Sequence, residues 1–221
     1  MISAIITAAG KNRRMKEDQV RLGIKNQNKL LLDLHGKPVI VYTLECVQKT
    51  DVGKSVVILG HSGDKIKTVL ENYPYKKVEV IFNDKKNVEL SETLLNGVNH
   101  VKKGLCLCVA GDQPTVSSET MQKLIDAALR HPDDNIVSIL ARKDIGYLNT
   151  TEGLGMPFAC HSSILKKYLP DKNDNLNPIL GDMINDGVEF YGIPARDKLE
   201  LININHWKDY LKVQKYLNKT R

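Results

Sequence analysis

Short apolar runs and segments of helical spacing alternate through the first two thirds of this chain of 221 residues. The runs are Ile2–Thr7, Ser55–Leu59, Val78–Phe82, Leu105–Ala110 and Ile136–Ala141, and several are apolar at nearly every position. Successive side chains of a strand point to opposite faces, so a half-exposed strand alternates apolar with polar. A run without that alternation must be covered on both faces, as strands of parallel sheets are. Between the runs, Pro38–Gln48, Lys65–Asn72, Leu90–Val101 and Ser117–Leu129 carry apolar residues three and four apart, the helical interval. The pattern predicts a three-layer α/β protein with a mainly parallel central sheet covered by helices on both sides.

The rhythm changes after Gly146. Loop-forming residues crowd 147–157 and 172–177. A helix is expected over Ile179–Asn185, short strands over Val188–Ile193 and Glu200–Ile204, and a closing helix over His206–Leu217. Asp171, Asp174, Asp182, Asp186 and Glu189 read as a solvated acidic face. No Pro/Gly/Ser linker and no internal repeat divides the chain. We therefore expect one domain over 1–221, with a nucleotide-binding half (1–145) and an elaboration of the same sheet (146–221) that builds the wall for a second substrate.

Composition narrows the partners. The net charge is +6, but the lysines are scattered and only three Phe and one Trp are present. Without a basic stripe interleaved with aromatics, an anionic small molecule fits better than nucleic acid. Cys106 and Cys108 stand two apart in one apolar run, which puts both on one face of a strand as packing residues. No C-x-x-C pair suggests zinc, and nothing in the cysteine pattern asks for an oxidising compartment. No apolar run approaches the ~18 residues of a membrane span. The expected location is the cytoplasm, with no membrane partner. Nothing in the sequence sets the oligomeric state.

In an open parallel sheet, ligands sit at the carboxyl ends of the strands. The first run passes straight into Ala8-Ala9-Gly10-Lys11-Asn12-Arg13-Arg14-Met15, and the fourth into Gly111-Asp112-Gln113-Pro114. Small residues let backbone amides approach an anion, and Arg14 and Lys29 would neutralise a polyphosphate. Asp112 at a strand end is placed to hold Mg²⁺, which prefers oxygen ligands and works with substrate phosphates. The same Gly-Asp-x-Pro turn is also common where it binds nothing. Ser91 either caps its helix or touches a nucleotide. Asn205 reads first as the N-cap of the last helix and second as an amide oxygen for a metal. His61, His131 and His161 are isolated from one another, and no Ser/His/Asp or Cys/His order suggests a nucleophile.

Taken in order, these segments resemble the MobA-like nucleotidyltransferases, a branch of the GT-A-type, Rossmann-like fold, and within it the molybdenum cofactor cytidylyltransferases. Ala8 to Met15 matches A-A-G-x-x-x-R-M, and Lys29 to Pro38 matches K-x-L-L-x-L-x-G-K-P. Ser91 to Gly97 matches S-x-S-L-x-x-G with Thr93 for the second Ser, and Gly111 to Pro114 matches G-D-Q-P outright. Guanylyltransferases of the branch tend to carry A-G-G in the first loop, so Ala8-Ala9-Gly10 leans to CTP. Methylerythritol-phosphate cytidylyltransferases share that loop but lack G-D-Q-P. Two departures stand out. Met15 and Lys29 are separated by an insertion, Lys16 to Asn28, readable as a mobile flap or a tolerated loop. The relatives' D-I-D-T-P-E-D appears as Asn203-Ile204-Asn205-His206-Trp207-Lys208-Asp209, so Asn205 replaces the second metal carboxylate.

The resemblance implies an Mg²⁺-dependent transfer of CMP from CTP to a phosphorylated small molecule such as the molybdopterin cofactor, with release of pyrophosphate. It assigns Arg14, Lys29 and Asp112 to catalysis, and Ala8, Ala9, Gly10, Arg14, Lys29 and Ser91 to the nucleotide. Asp112 and Asn205 would hold the metal. A methylerythritol-phosphate or sugar-phosphate nucleotidyltransferase is the neighbouring reading. A GT-A glycosyltransferase and a non-catalytic nucleotide-binding protein are readings from other classes, and neither would release pyrophosphate.

Overall fold

The computed structural model describes residues 1–85 and 87–218. All five apolar runs lie in one sheet. In chain order the first elements are β1 (Ile2–Ala8), α1 (Arg13–Arg21), a 3₁₀ turn (Lys29–Leu31), β2 (Asp33–Leu34), β3 (Lys37–Pro38) and α2 (Val39–Gln48). Next come β4 (Lys54–Leu59), α3 (Gly63–Glu71), β5 (Val78–Phe82), α4 (Leu90–Asn99), β6 (Leu105–Ala110), α5 (Ser118–Arg130) and β7 (Ile136–Ala141). The remainder is β8 (Gly146–Leu148), β9 (Phe158–His161), α6 (Ser162–Tyr168), α7 (Leu176–Asn185), β10 (Glu189–Pro194), a second 3₁₀ turn (Lys198–Leu201) and α8 (Trp207–Leu217).

Among the described residues the main sheet has eight strands in the order β5-β4-β1-β6-β9-β7-β10-β8, and β2 and β3 form a separate two-stranded hairpin. Pairings β4–β5, β1–β4, β1–β6 and β7–β10 are parallel. Strand β9 runs antiparallel between β6 and β7, and β8 runs antiparallel on the edge beside β10. The sheet is thus mainly parallel, and strands from residues beyond 146 are built into it.

Alternation within the buried strands sorts their side chains into two cores. Ala4, Ile6, Val57, Leu59, Leu107 and Val109 face one side, with residues of α2, α3, α5 and α8. Ile5, Val56, Ile58, Cys106 and Cys108 face the other, with residues of α4, α6 and α7. Cys106 and Cys108 therefore share one face with Cys160, all three fully buried, and burial pushes each thiol above its usual value. No described helix is long and apolar enough to cross a membrane.

Several expectations need correction. Residues 200–204 form no strand. The chain curls into the second 3₁₀ turn because the Glu200 carboxylate points inward, accepting from Ser117 N (2.9 Å), Thr120 Oγ1 (2.8 Å) and Arg196 N (2.8 Å). The insertion is neither a free flap nor a plain loop: its first half continues α1. Asp18 accepts from Trp207 N at 3.0 Å, which docks the insertion against the start of α8, and within the insertion buried Gln19 accepts from Gln27 N at 3.0 Å. Residues 158–168, given no element by the sequence pattern, form β9 and α6.

Candidate active site

The carboxyl ends of β1 and β6 lie side by side, tied by Gly111 N donating to Thr7 O at 2.9 Å. Gly111 is needed for this approach, since a Cβ there would stand 2.7 Å from Ile40 Cδ1 and 3.2 Å from Thr7 O. A cavity of about 480 Å³ opens at the junction, bounded by the Thr7 to Arg14 loop, Lys29, the start of α4, Asp112, Asn203 and Asn205.

Within the first loop, each small residue has its own cause. Ala9 packs on Gly60, where a Cβ would come within 2.8 Å of the Ala9 methyl. Gly10 has no such neighbour: a Cβ there would meet nothing within 4 Å, and its φ is not in the left-handed region. The backbone therefore does not require glycine at position 10, whereas the open cleft in front of it does if a ligand is to come close.

Four of the expected polar residues converge on one point. Lys29 Nζ forms an ion pair with Asp112 Oδ2 and donates to Asn205 Oδ1 at 3.0 Å. Arg14 Nη2 donates to the same Asn205 oxygen at 3.0 Å. Local structure explains how Lys29 gets there. Asn12, in the left-handed region at φ 58°, accepts from Lys29 N at 3.1 Å and donates to Gln27 O at 3.1 Å. The insertion between Met15 and Lys29 is thus closed at its base, and Lys29 leaves it on a 3₁₀ turn capped by Asn28.

Two expected placements are corrected. Asn205 is not the cap of α8: His206 is, in a reciprocal arrangement with Asp209, and the Asn205 amide is released to face the cleft. Ser91 does not reach the cleft. Its hydroxyl is buried, donating to Lys172 O at 2.9 Å and accepting from Asp174 N at 3.1 Å, so it braces the 172–174 loop. Nor does it cap α4, where Glu89 and Glu92 form the capping box; Thr93 lines the cavity instead.

Sequence reasoning gave no role to Gln113 and Asn203, although both stand in segments it singled out. Asn203 Nδ2 donates to Asp112 Oδ1 at 3.0 Å, and wholly buried Gln113 donates to Met156 O at 2.7 Å and to Asn203 Oδ1 at 3.3 Å. These bonds fix the Asp112 carboxylate. Asn203 and Asn205 are alternate residues of an extended segment, and that spacing was the signal that both face the same way. Lys11 and Glu89 meet across the mouth of the cavity at 3.4 Å.

A mainly parallel α/β sheet that gathers a glycine loop, two cations and one carboxylate at adjacent strand ends has the construction of a nucleotidyltransferase. Residues 4–174 match the MobA-like NTP transferase domain, and the chain belongs to that family of nucleotidyltransferase enzymes. It is 40% identical to a nucleotidyl transferase of Methanothermobacter, covering 100% of this chain and 99% of that one with a TM-score of 0.93. A 4-diphosphocytidyl-2C-methyl-D-erythritol synthase from Anaerococcus prevotii shares the fold at a TM-score of 0.71 and 18% identity, over 99% of this chain and 96% of the other. The bifunctional protein GlmU of Legionella pneumophila is 27% identical over 176 residues, 79% of this chain. The match spans about a third of that curated relative's length, 35%.

Proposed function

We propose that residues 1–221 act as a single Mg²⁺-dependent nucleotidyltransferase domain that moves CMP from CTP to a phosphorylated small molecule such as the molybdopterin cofactor. The observation that carries this reading is the convergence of Lys29 Nζ, Arg14 Nη2, Asn205 Oδ1 and Asp112 on one wall of the cavity. Backbone amides around Ala9 and Gly10 hold the nucleotide, and Arg14 and Lys29 neutralise its phosphates. A phosphate oxygen of the acceptor attacks the α-phosphorus in line, the bond to the β-phosphate oxygen breaks, and pyrophosphate leaves. The attacking oxygen is already ionised, so no general base is needed; the residues contribute positioning and charge.

The donor set suits a hard cation. Asp112 and the Asn205 amide carry hard oxygens, which accept here from Lys29, Arg14 and Asn203 and would exchange those donors for the ion, and no group of three His, Cys, Asp or Glu among the described residues could hold a metal alone. That fits Mg²⁺ recruited together with substrate phosphates and water. Bound there, the ion would withdraw charge from the phosphates. Ala8-Ala9-Gly10 supports CTP, as does the name of the fold relative that makes a cytidyl product. That relative also favours a second reading, in which the acceptor is a methylerythritol phosphate.

Thermal shift with each of the four NTPs and Mg²⁺ tests the donor. A selective rise with CTP, followed by pyrophosphate release in an acceptor screen, is the expected result. A selective rise with GTP or ATP overturns the choice of CTP. No response to any NTP overturns the reading as a whole.

A further inference from the structure

A second cavity, of about 510 Å³, adjoins the first and shares Leu90, Met156, Asn175 and Asn203 with it. Arg142, the residue following β7, lines its wall. The guanidinium is half-buried, and burial pushes its pKa below the usual value. It donates to Leu201 O at 2.8 Å and, more weakly, to Asn203 Oδ1 at 3.5 Å. A guanidinium has five N–H donors, so others remain unused. Among the described residues no ion pair joins it to a carboxylate, and that includes Asp174, the single carboxylate in that wall.

A desolvated cation without a counter-ion is costly, and such groups are normally paired. Here the missing partner has a place. One side chain, Asn203, separates the guanidinium from Asp112: its Oδ1 accepts from Arg142 while its Nδ2 donates to Asp112 Oδ1 at 3.0 Å. The second cavity therefore meets the first at Asn203, one side chain away from the carboxylate assigned to the metal. Its other polar wall residues include the neutral amides Asn175 and Asn177, which can donate to an anion without repelling it.

We propose that Arg142 binds the phosphate of the acceptor in this second cavity and so determines which acceptors are used. The proposal rests on the nucleotidyltransferase reading above and names the residue that would hold its second substrate. Planar N–H pairs suit phosphate oxygens, and a bidentate contact also orients the group for attack.

The test uses the full chain with its nucleotide cleft saturated by an α,β-methylene NTP analogue and Mg²⁺, titrated with inorganic phosphate and then methyl phosphate by calorimetry. The wild type should bind both saturably. Arg142→Gln should weaken both by about tenfold or more while leaving the analogue's affinity unchanged. Arg142→Lys, which keeps the charge without the planar fork, should recover part of the loss. Equal phosphate affinity in R142Q overturns the proposal. So does a loss that falls equally on phosphate and nucleotide, because Arg142 would then merely brace Leu201 and Asn203. If R142Q does not fold, R142K decides: unweakened phosphate binding in that variant refutes the fork. Nucleotide binding is measured first. A wild type that binds no NTP refutes the broader reading, whereas one that binds NTP but no phosphate refutes the subsite alone.

Discussion

Gly10→Ala separates what the fold needs from what the ligand needs. The φ of Gly10 lies outside the left-handed region, and a Cβ there would have nothing within 4 Å. At such a position, replacing Gly by Ala restricts the unfolded chain and stabilises by about 0.4–1 kcal/mol. For a chain of this length each kcal/mol moves Tm by about 2–4 °C, so the variant should melt about 1–4 °C higher. The methyl would project into the cleft where phosphates are expected. Forcing an extra methyl into a filled site costs about 1–3 kcal/mol. At 1.4 kcal/mol per tenfold, nucleotide affinity should fall by about 5- to 140-fold. Calorimetric unfolding and titration with CTP and Mg²⁺ read the two effects independently. Gly97→Ala is the control with the opposite signature, because its Cβ would stand 2.4 Å from Ile5 Cγ2 in the core. It should destabilise by about 1–3 kcal/mol and leave nucleotide affinity of the folded fraction intact. A Gly10→Ala protein that melts lower, or binds CTP as tightly as the wild type, would refute the claim that this loop is shaped by its ligand.

Lys29→Ala should lower turnover by about 10²–10³, as loss of one charge-stabilising donor does elsewhere, with the fold retained because Asp112 keeps its bond to Asn203; undiminished pyrophosphate release would show that the phosphates bind elsewhere. Asp112→Asn should raise the Mg²⁺ concentration needed for half-maximal activity, and an unchanged metal dependence would move the ion off this carboxylate. Asp18 links the insertion to α8, and the Trp207 backbone N–H, with help from His206, holds its carboxyl below the ordinary value of 3.8. A depressed pKa stabilises above the unfolded value and is lost as pH falls through the folded one. Asp18→Asn should therefore be less stable than the wild type near neutrality, with the gap closing below about pH 3.8 in urea titrations. A gap independent of pH would show that the charge of Asp18 does not matter.

An unbroken apolar run announces a fully buried strand. Leu105–Ala110 and Ile136–Ala141 are buried at every position, and both strands were legible to the residue. Helix α1 buries only Met15 and Gln19, so from Lys16 onward it read as part of a polar, charged insertion. Strand β9 is four residues long and follows a loop-rich stretch, so nothing local distinguishes it; its existence depends on a gap between β6 and β7 that only the assembled sheet presents. The 200–204 error has the same root, because a buried carboxylate, Glu200, drew the backbone into a turn through bonds to Ser117 and Thr120, 83 and 80 residues away.

The site divides along the same line. Gly10 and Asp112 follow strand ends, where a glycine and a carboxylate stand out against apolar runs, so both were visible in the sequence. The groups that aim Lys29 and Asp112 were not, because they act across the chain: Asn12 on Lys29 over 17 residues, Asn203 on Asp112 over 91. Ser91 shows the converse. A hydroxyl at a helix start looks the same in sequence whether it faces a ligand or a neighbouring loop, and here the loop 81 residues away claimed it. Arg142 followed an apolar strand like any surface cation. It becomes a candidate for acceptor recognition only once it is seen half-buried with no carboxylate paired to it among the described residues, which pattern alone does not disclose.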